Sequence, residues 1–157
     1  MVAYDEITTR FLREREVSFI RTGLGLLINT YLITKAPMTA PMNAKGCGRM
    51  QLNILVLQQN LKNIESGVDL VRAADYFELF DQGVDAIVEK ARQDAGQGGD
   101  EDGKSDDKKF SYDELEALVE LCYSEQLADA ERGVAGAARR QMADKLLGLS
   151  EATWQTS

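Results

Sequence analysis

The feature that most restricts the fold of this chain is residues 50–64, MQLNILVLQQNLKNI, where apolar side chains recur at spacings of four and three. At about 100° per residue, Met50, Ile54, Leu57, Leu61 and Ile64 fall within one narrow arc, the seam of a helix lying nearly along its neighbour. Leu52, Leu55 and Val56 fall on the opposite side. The first half of this helix is therefore apolar on two faces, which predicts a place in the middle of a bundle. Amides occupy the borders, Gln51 and Gln58 on one edge and Asn53 and Asn60 on the other. A charge on a half-buried border would need desolvation or pairing, whereas an amide both donates and accepts and is satisfied by adjacent helices at lower cost. The amides thus read as packing residues rather than ligand contacts.

Strand-like alternation is absent elsewhere, and Gly and Pro divide the chain into five expected helices. The first runs from about Asp5 to Ile33 and ends before Pro37 and Pro41. Its second half is apolar nearly all round, and Gly23 and Gly25, each costing about 1 kcal/mol against Ala, suggest a close crossing or a kink. The second is the opening stretch, closed by Glu65, Ser66 and Gly67. Asp69 reads as the N-cap of a third helix running to about Arg92. In the fourth, Ser111 and Glu114 form a capping box and Phe110 staples onto Leu115. A weaker fifth helix spans Ala137 to Leu149. The organisation expected is an all-α antiparallel bundle: residues 1–93 as a three-helix segment, 94–109 as an acidic, Gly-rich disordered insertion, 110–149 as further helices of the same bundle, and 150–157 as a frayed tail.

A chain of 157 residues, 44% hydrophobic, can bury a core. A net charge of -8 argues against nucleic acid as a partner, since phosphate neutralisation requires clustered Lys and Arg. Residues 1–50 nevertheless carry seven basic and four acidic side chains, +3, leaving -11 for 51–157. Cys47 and Cys122 are too few and too far apart for a disulfide framework and read as small core hydrophobes. No secretory signal is visible, and the most apolar stretch, 19–33, is short for a bilayer span and holds Arg21 and Asn29. The expectation is a soluble chain, or a membrane-peripheral one at most.

The sequence nominates no catalytic, cofactor-binding or metal-ligating residue. It has no histidine, the commonest general base and metal ligand. TGLGLL and KGCGRM contain Gly-x-Gly but neither follows a strand nor carries the remainder of a phosphate loop. A calcium loop counted from Asp100 puts Lys104 at position five and Ser111 where a bidentate Glu is required, so that pattern fails.

The segments GLGLLI (23–28), NILVLQQNLKNI (53–64), DYFELF (75–80) and FSYDELEAL (110–118), in this order and at about these separations, resemble the C-terminal end of component four, the Sec-eight subunit, of the exocyst. The resemblance covers most of 19–127, leaves 94–109 as an insertion and extends only loosely beyond. The family protein is several times longer, so the chain reads as its terminal piece, with Met1 inside a helical domain. The resemblance implies the terminal part of a rod of stacked helical bundles, as in multisubunit tethering complexes. It further implies a non-enzymatic scaffold without cofactor, which helps hold secretory vesicles at the plasma membrane before fusion. The implied partners are the other exocyst subunits in a hetero-oligomer, with indirect association with vesicle and plasma membrane, and neither nucleic acid nor a small-molecule substrate. The implied location is cytoplasmic, peripheral at plasma-membrane sites of polarised secretion. The residues alone also allow a small peripheral membrane-binding helical module using the basic N-terminal helix with Arg10, Arg13 and Arg15.

Overall fold

Proline chemistry sets the first corner of the chain. In the computed structural model, which describes residues 14–63, 67–96, 109–129 and 131–154, helix α1 (Glu14–Lys35) runs into a single 3-10 turn (Ala36–Thr39) with proline in its first positions. Pro37 fits there because a first-turn amide would have no helical partner. The backbone is extended at Ala40, and Asn43 then caps α2 (Ala44–Lys62) by accepting from the Gly46 amide at 3.0 Å. The opening helix of the sequence thus starts well before Met50, through Gly46 and Gly48.

The single helix expected from Asp69 to Arg92 is two helices, α3 (Val71–Gln82) and α4 (Val84–Gly96). Gly83 separates them at φ +93°, a conformation open to glycine and costly for other residues. Its amide donates to the carbonyls of Leu79 and Phe80, and its own carbonyl accepts from Ala86 and Ile87, so one residue closes one helix and opens the next. The N-cap position is Leu70, one residue after the expected Asp69, whose carboxylate nevertheless accepts from the Val71 amide at 3.4 Å. Of the expected acidic insertion, 94–96 complete α4 and 97–108 lie outside the described residues.

Helix α5 (Tyr112–Leu127) carries both arms of the capping box: Ser111 accepts from the Glu114 amide at 3.2 Å, and the Glu114 carboxylate accepts from the Ser111 amide at 2.8 Å. Helix α6 (Arg132–Trp154) is longer at both ends than the expected 137–149, and 150–154 are helical rather than frayed, with 155–157 outside the described residues. Its buried face is lined by Ala135, Ala138, Leu149 and Ala152. Alanines give a weak hydrophobic period but the best helix propensity, which accounts for the extra turns.

All elements among the described residues are helical, and the fold is an all-α bundle organised on α3. Helices α1, α2, α4 and α5 all pack against α3, while α6 closes over α4 and α5. Tyr76 and Phe77 of α3 are fully buried at the centre, their rings edge to face at 5.6 Å, with Phe110 5.5 Å from Tyr76. Ile33, Ile54, Leu70, Ile87, Leu115, Leu118 and Leu149 complete a core drawn from every helix.

Candidate interaction surface

Helix α1 is held to the bundle on one side only. The side chain of Asn29, 6% exposed, donates to the Asp69 carbonyl at 3.0 Å and accepts from the Ala73 amide at 2.9 Å. Both ends of the amide are therefore spent on the start of α3, whose first amides lack helical acceptors. Gly25 lies beside the same segment, where an added Cβ would meet Val68 Cγ1 at 3.2 Å and the Asp69 carbonyl at 3.4 Å. The close crossing expected of both glycines is present at Gly25. Gly23 faces open space. On that outward side Leu26, Leu27 and Tyr31 are 58%, 65% and 62% exposed.

Helix α2 repeats the arrangement. Cys47, Ile54 and Leu61 are buried against α3, and Met50 and Leu57 are half-buried beside them, so the four-and-three seam faces inward from Met50 to Leu61; Ile64 lies outside the described residues. The Cys47 thiol and the Gln51 amide both donate to the Phe77 carbonyl, at 3.1 and 3.3 Å. Gln51 thus meets a neighbouring helix as the border reading requires, and Gln58 is half-buried; Asn53 and Asn60 are exposed. The second apolar face is not covered by the described residues: Leu52, Leu55 and Val56 are 59%, 54% and 53% exposed. Within the described residues α2 is an edge helix, not a central one.

One signal in the sequence marks these two helices and escapes a periodicity analysis. Residues 17–64 contain no Asp or Glu at all, in a chain with 26 of them, while holding Arg21, Lys35, Lys45, Arg49 and Lys62. Neither 22–34 nor 50–61 contains any charged residue. Solvent-facing helix surfaces normally carry charge, and a contiguous apolar face without it marks an interaction site.

The opposite half is closed by its own polar contacts. Arg72 of α3 bonds both carboxylate oxygens of Glu114, at 3.0 and 2.7 Å, and the Lys109 carbonyl at 3.1 Å, with its guanidinium 5.2 Å from the Phe110 ring centre. Tyr76 donates to the Glu114 carbonyl at 2.8 Å. Met42 and Asn43 bond Ser124 and Glu125, tying the entrance of α2 to the end of α5. Lys145 of α6 pairs with Asp85 of α4. Beside that pair lies an open groove of about 460 Å³, lined by Val88 and Gly148, by the Asp85, Glu89 and Asp144 carboxylates and by Arg92 and Lys145, so that it keeps one net negative charge.

The titratable groups of the core are set for packing. Burial pushes the Cys47 thiol up to about 11, with Asp81 adding to the effect, and pushes the Cys122 thiol up to about 12, with Cys47 adding. Neither thiol is a nucleophile at neutral pH. Among the described residues no three His, Cys, Asp or Glu side chains gather as metal ligands, and no helix is long and apolar enough to cross a membrane. Arg10 and Arg13 lie outside the described residues; Arg15 is exposed.

The chain is 66% identical to the probable exocyst complex component sec8 of Neurospora crassa, over an alignment covering 99% of this chain and 16% of that protein. It is 34% identical to exocyst complex component 4 of human and of mouse, over 55% of this chain and 9% of each of those proteins. The chain therefore spans less than a fifth of the length of the relatives it matches. No family model matches it, and no solved structure does.

Proposed function

This chain belongs to the family of exocyst component 4, sec8, and on that premise we propose that it is a non-enzymatic scaffold segment of the exocyst. Its work is associative: it buries helix faces against other subunits of a hetero-oligomer that tethers secretory vesicles to the plasma membrane before fusion. It belongs at the C-terminal end of a rod of stacked helical bundles, in the cytoplasm and peripheral to the membrane at sites of polarised secretion. The helices up to Gly96 and those from Tyr112 to Trp154 act as one bundle, and 97–108 as an acidic insertion between them. The observation that carries this reading is the pair of uncharged outward faces, Leu26, Leu27 and Tyr31 on α1 and Leu52, Leu55 and Val56 on α2, exposed while the core behind them is filled. Exposed apolar residues in this number are costly on a free surface and ordinary at the centre of a protein interface.

The test is affinity isolation of the full-length family protein from cells, with mass spectrometry of what accompanies it. Recovery of the other exocyst subunits with the native protein, and their loss with Leu52→Asp and Val56→Asp together, supports the reading. A near-full-length protein that brings down none of them contradicts it.

A further inference from the structure

We infer that the outer face of α2 is the docking surface for an acidic amphipathic helix of a separate polypeptide, a deepening that rests on the scaffold reading above. The stripe has a defined frame. Leu52, Leu55 and Val56 recur at helical spacing across its middle, continued by Gln59. Arg49 and Lys62 stand at its two ends, thirteen residues or about 20 Å apart along the axis, on diagonally opposite edges. Lys45 extends the stripe one turn beyond Arg49. All three cations are exposed, and no ion pair among the described residues engages them. Between the two ends there is no charge of either sign.

A partner that matches this frame is a helix with an apolar seam of about three turns and carboxylates flanking it on opposite edges. Spacings of four and three favour knobs-into-holes packing against another helix, and edge charges select its orientation. Other occupants fit less well. The chain's own acidic stretch, 94–109, has no apolar residue larger than Ala and cannot fill the stripe. A second copy would bring only further cations, its own Arg49 and Lys62, to the two ends of the stripe and no carboxylate to pair with them. A lipid surface selects Lys and Arg along the borders of an apolar face, where α2 presents Asn53, Gln58 and Asn60. Exposed charges contribute little to folding but steer and orient association between separate molecules, which favours another polypeptide as the source of the acidic helix.

The experiment uses the assembled complex isolated with the full-length family protein. A zero-length carbodiimide coupler joins Lys ammonium groups to carboxylates already in contact. The expected products join Lys45 or Lys62 to Asp or Glu residues on a helix of another subunit. Arg49→Glu combined with Lys62→Glu, checked for unchanged melting, should lower recovery of that subunit about tenfold, and matching reversal of its carboxylates should restore it. Coupling to the same polypeptide or to a second copy overturns the inference. So does binding to phosphatidylserine vesicles that the double reversal abolishes. If all subunits co-isolate equally with native and reversed proteins, the inference falls and the scaffold reading stands; if none co-isolates with the native protein, the scaffold reading falls and takes the inference with it.

Discussion

Helices α1 and α2 differ from α3 to α6 in what finishes them. The second group closes on itself: a capping box opens α5, Arg72 binds Glu114 42 residues further along the chain, and α6 covers α4 and α5. The first group is finished on one side only. Its inner faces bury Asn29, Ile33, Cys47, Ile54 and Leu61, while its outer faces leave leucines, a valine and a tyrosine in solvent, on a stretch, 17–64, that holds no Asp or Glu. The same chain therefore holds one region whose apolar side chains are mostly covered, Val71, Val134, Leu147 and Trp154 apart, and one whose outer faces stand exposed among the described residues.

The sharpest way to break this contrast is to truncate one residue on each side of it. Phe77→Ala empties the centre of the core and should cost about 3–5 kcal/mol, abolishing cooperative unfolding or lowering its midpoint severely. Leu52→Ala, on the outer stripe, should stay within about 0.5 kcal/mol of the native chain in the same urea titration. Equal losses at the two positions would mean that the outer face is covered within the chain. Next in size is Asn29→Ala, which strands the Ala73 amide and the Asp69 carbonyl and should cost about 1–3 kcal/mol. Equilibrium unfolding monitored by circular dichroism checks it, and a neutral result would mean that α1 is not pinned to α3.

A pH titration probes the seam between the two regions. The folded Cys47 thiol is held up to about 11, against 9.0 for the unfolded chain, so the folded state keeps its proton more tightly. That contribution is fully present below about pH 9 and is lost as pH rises from 9 towards 11, roughly 2–3 kcal/mol. Cys47→Ala should flatten that part of the stability profile; an unchanged profile places the loss in other groups. Smallest is the pair of glycines in α1. Gly23→Ala meets nothing within 4 Å and should stabilise by about 0.5–1 kcal/mol. Gly25→Ala gains the same propensity but drives its Cβ to 3.2 Å from Val68, so its melting temperature should fall below that of Gly23→Ala. The reverse order would remove the close crossing.

Local chemistry was the part of this fold most legible in the sequence. The capping box at Ser111 and Glu114 needs only three residues of context, and the inward seam of α2 follows from its spacing alone. The break at Gly83 was hidden because apolar periodicity continues across it, from Phe77 and Phe80 to Ile87 and Val88, while the backbone turns. The start of α6 was hidden because Ala135 and Ala138 bury little surface and so leave no hydrophobic signature. Asn29 as a pin and Arg72 as a latch depend on partners about forty residues away in the chain, beyond any local pattern. Periodicity identified the second apolar face of α2 but could not say whether this chain covers it. The absence of every acidic residue from 17–64 carried that information, in composition rather than in period.

The most direct measurement is carbene footprinting of Leu52, Leu55 and Val56, in the isolated chain and in the full-length protein within its assembly. The account predicts heavy labelling in the first and strong protection in the second, with Ile54 and Leu61 protected in both. Equal labelling of the outer stripe in chain and assembly would contradict it.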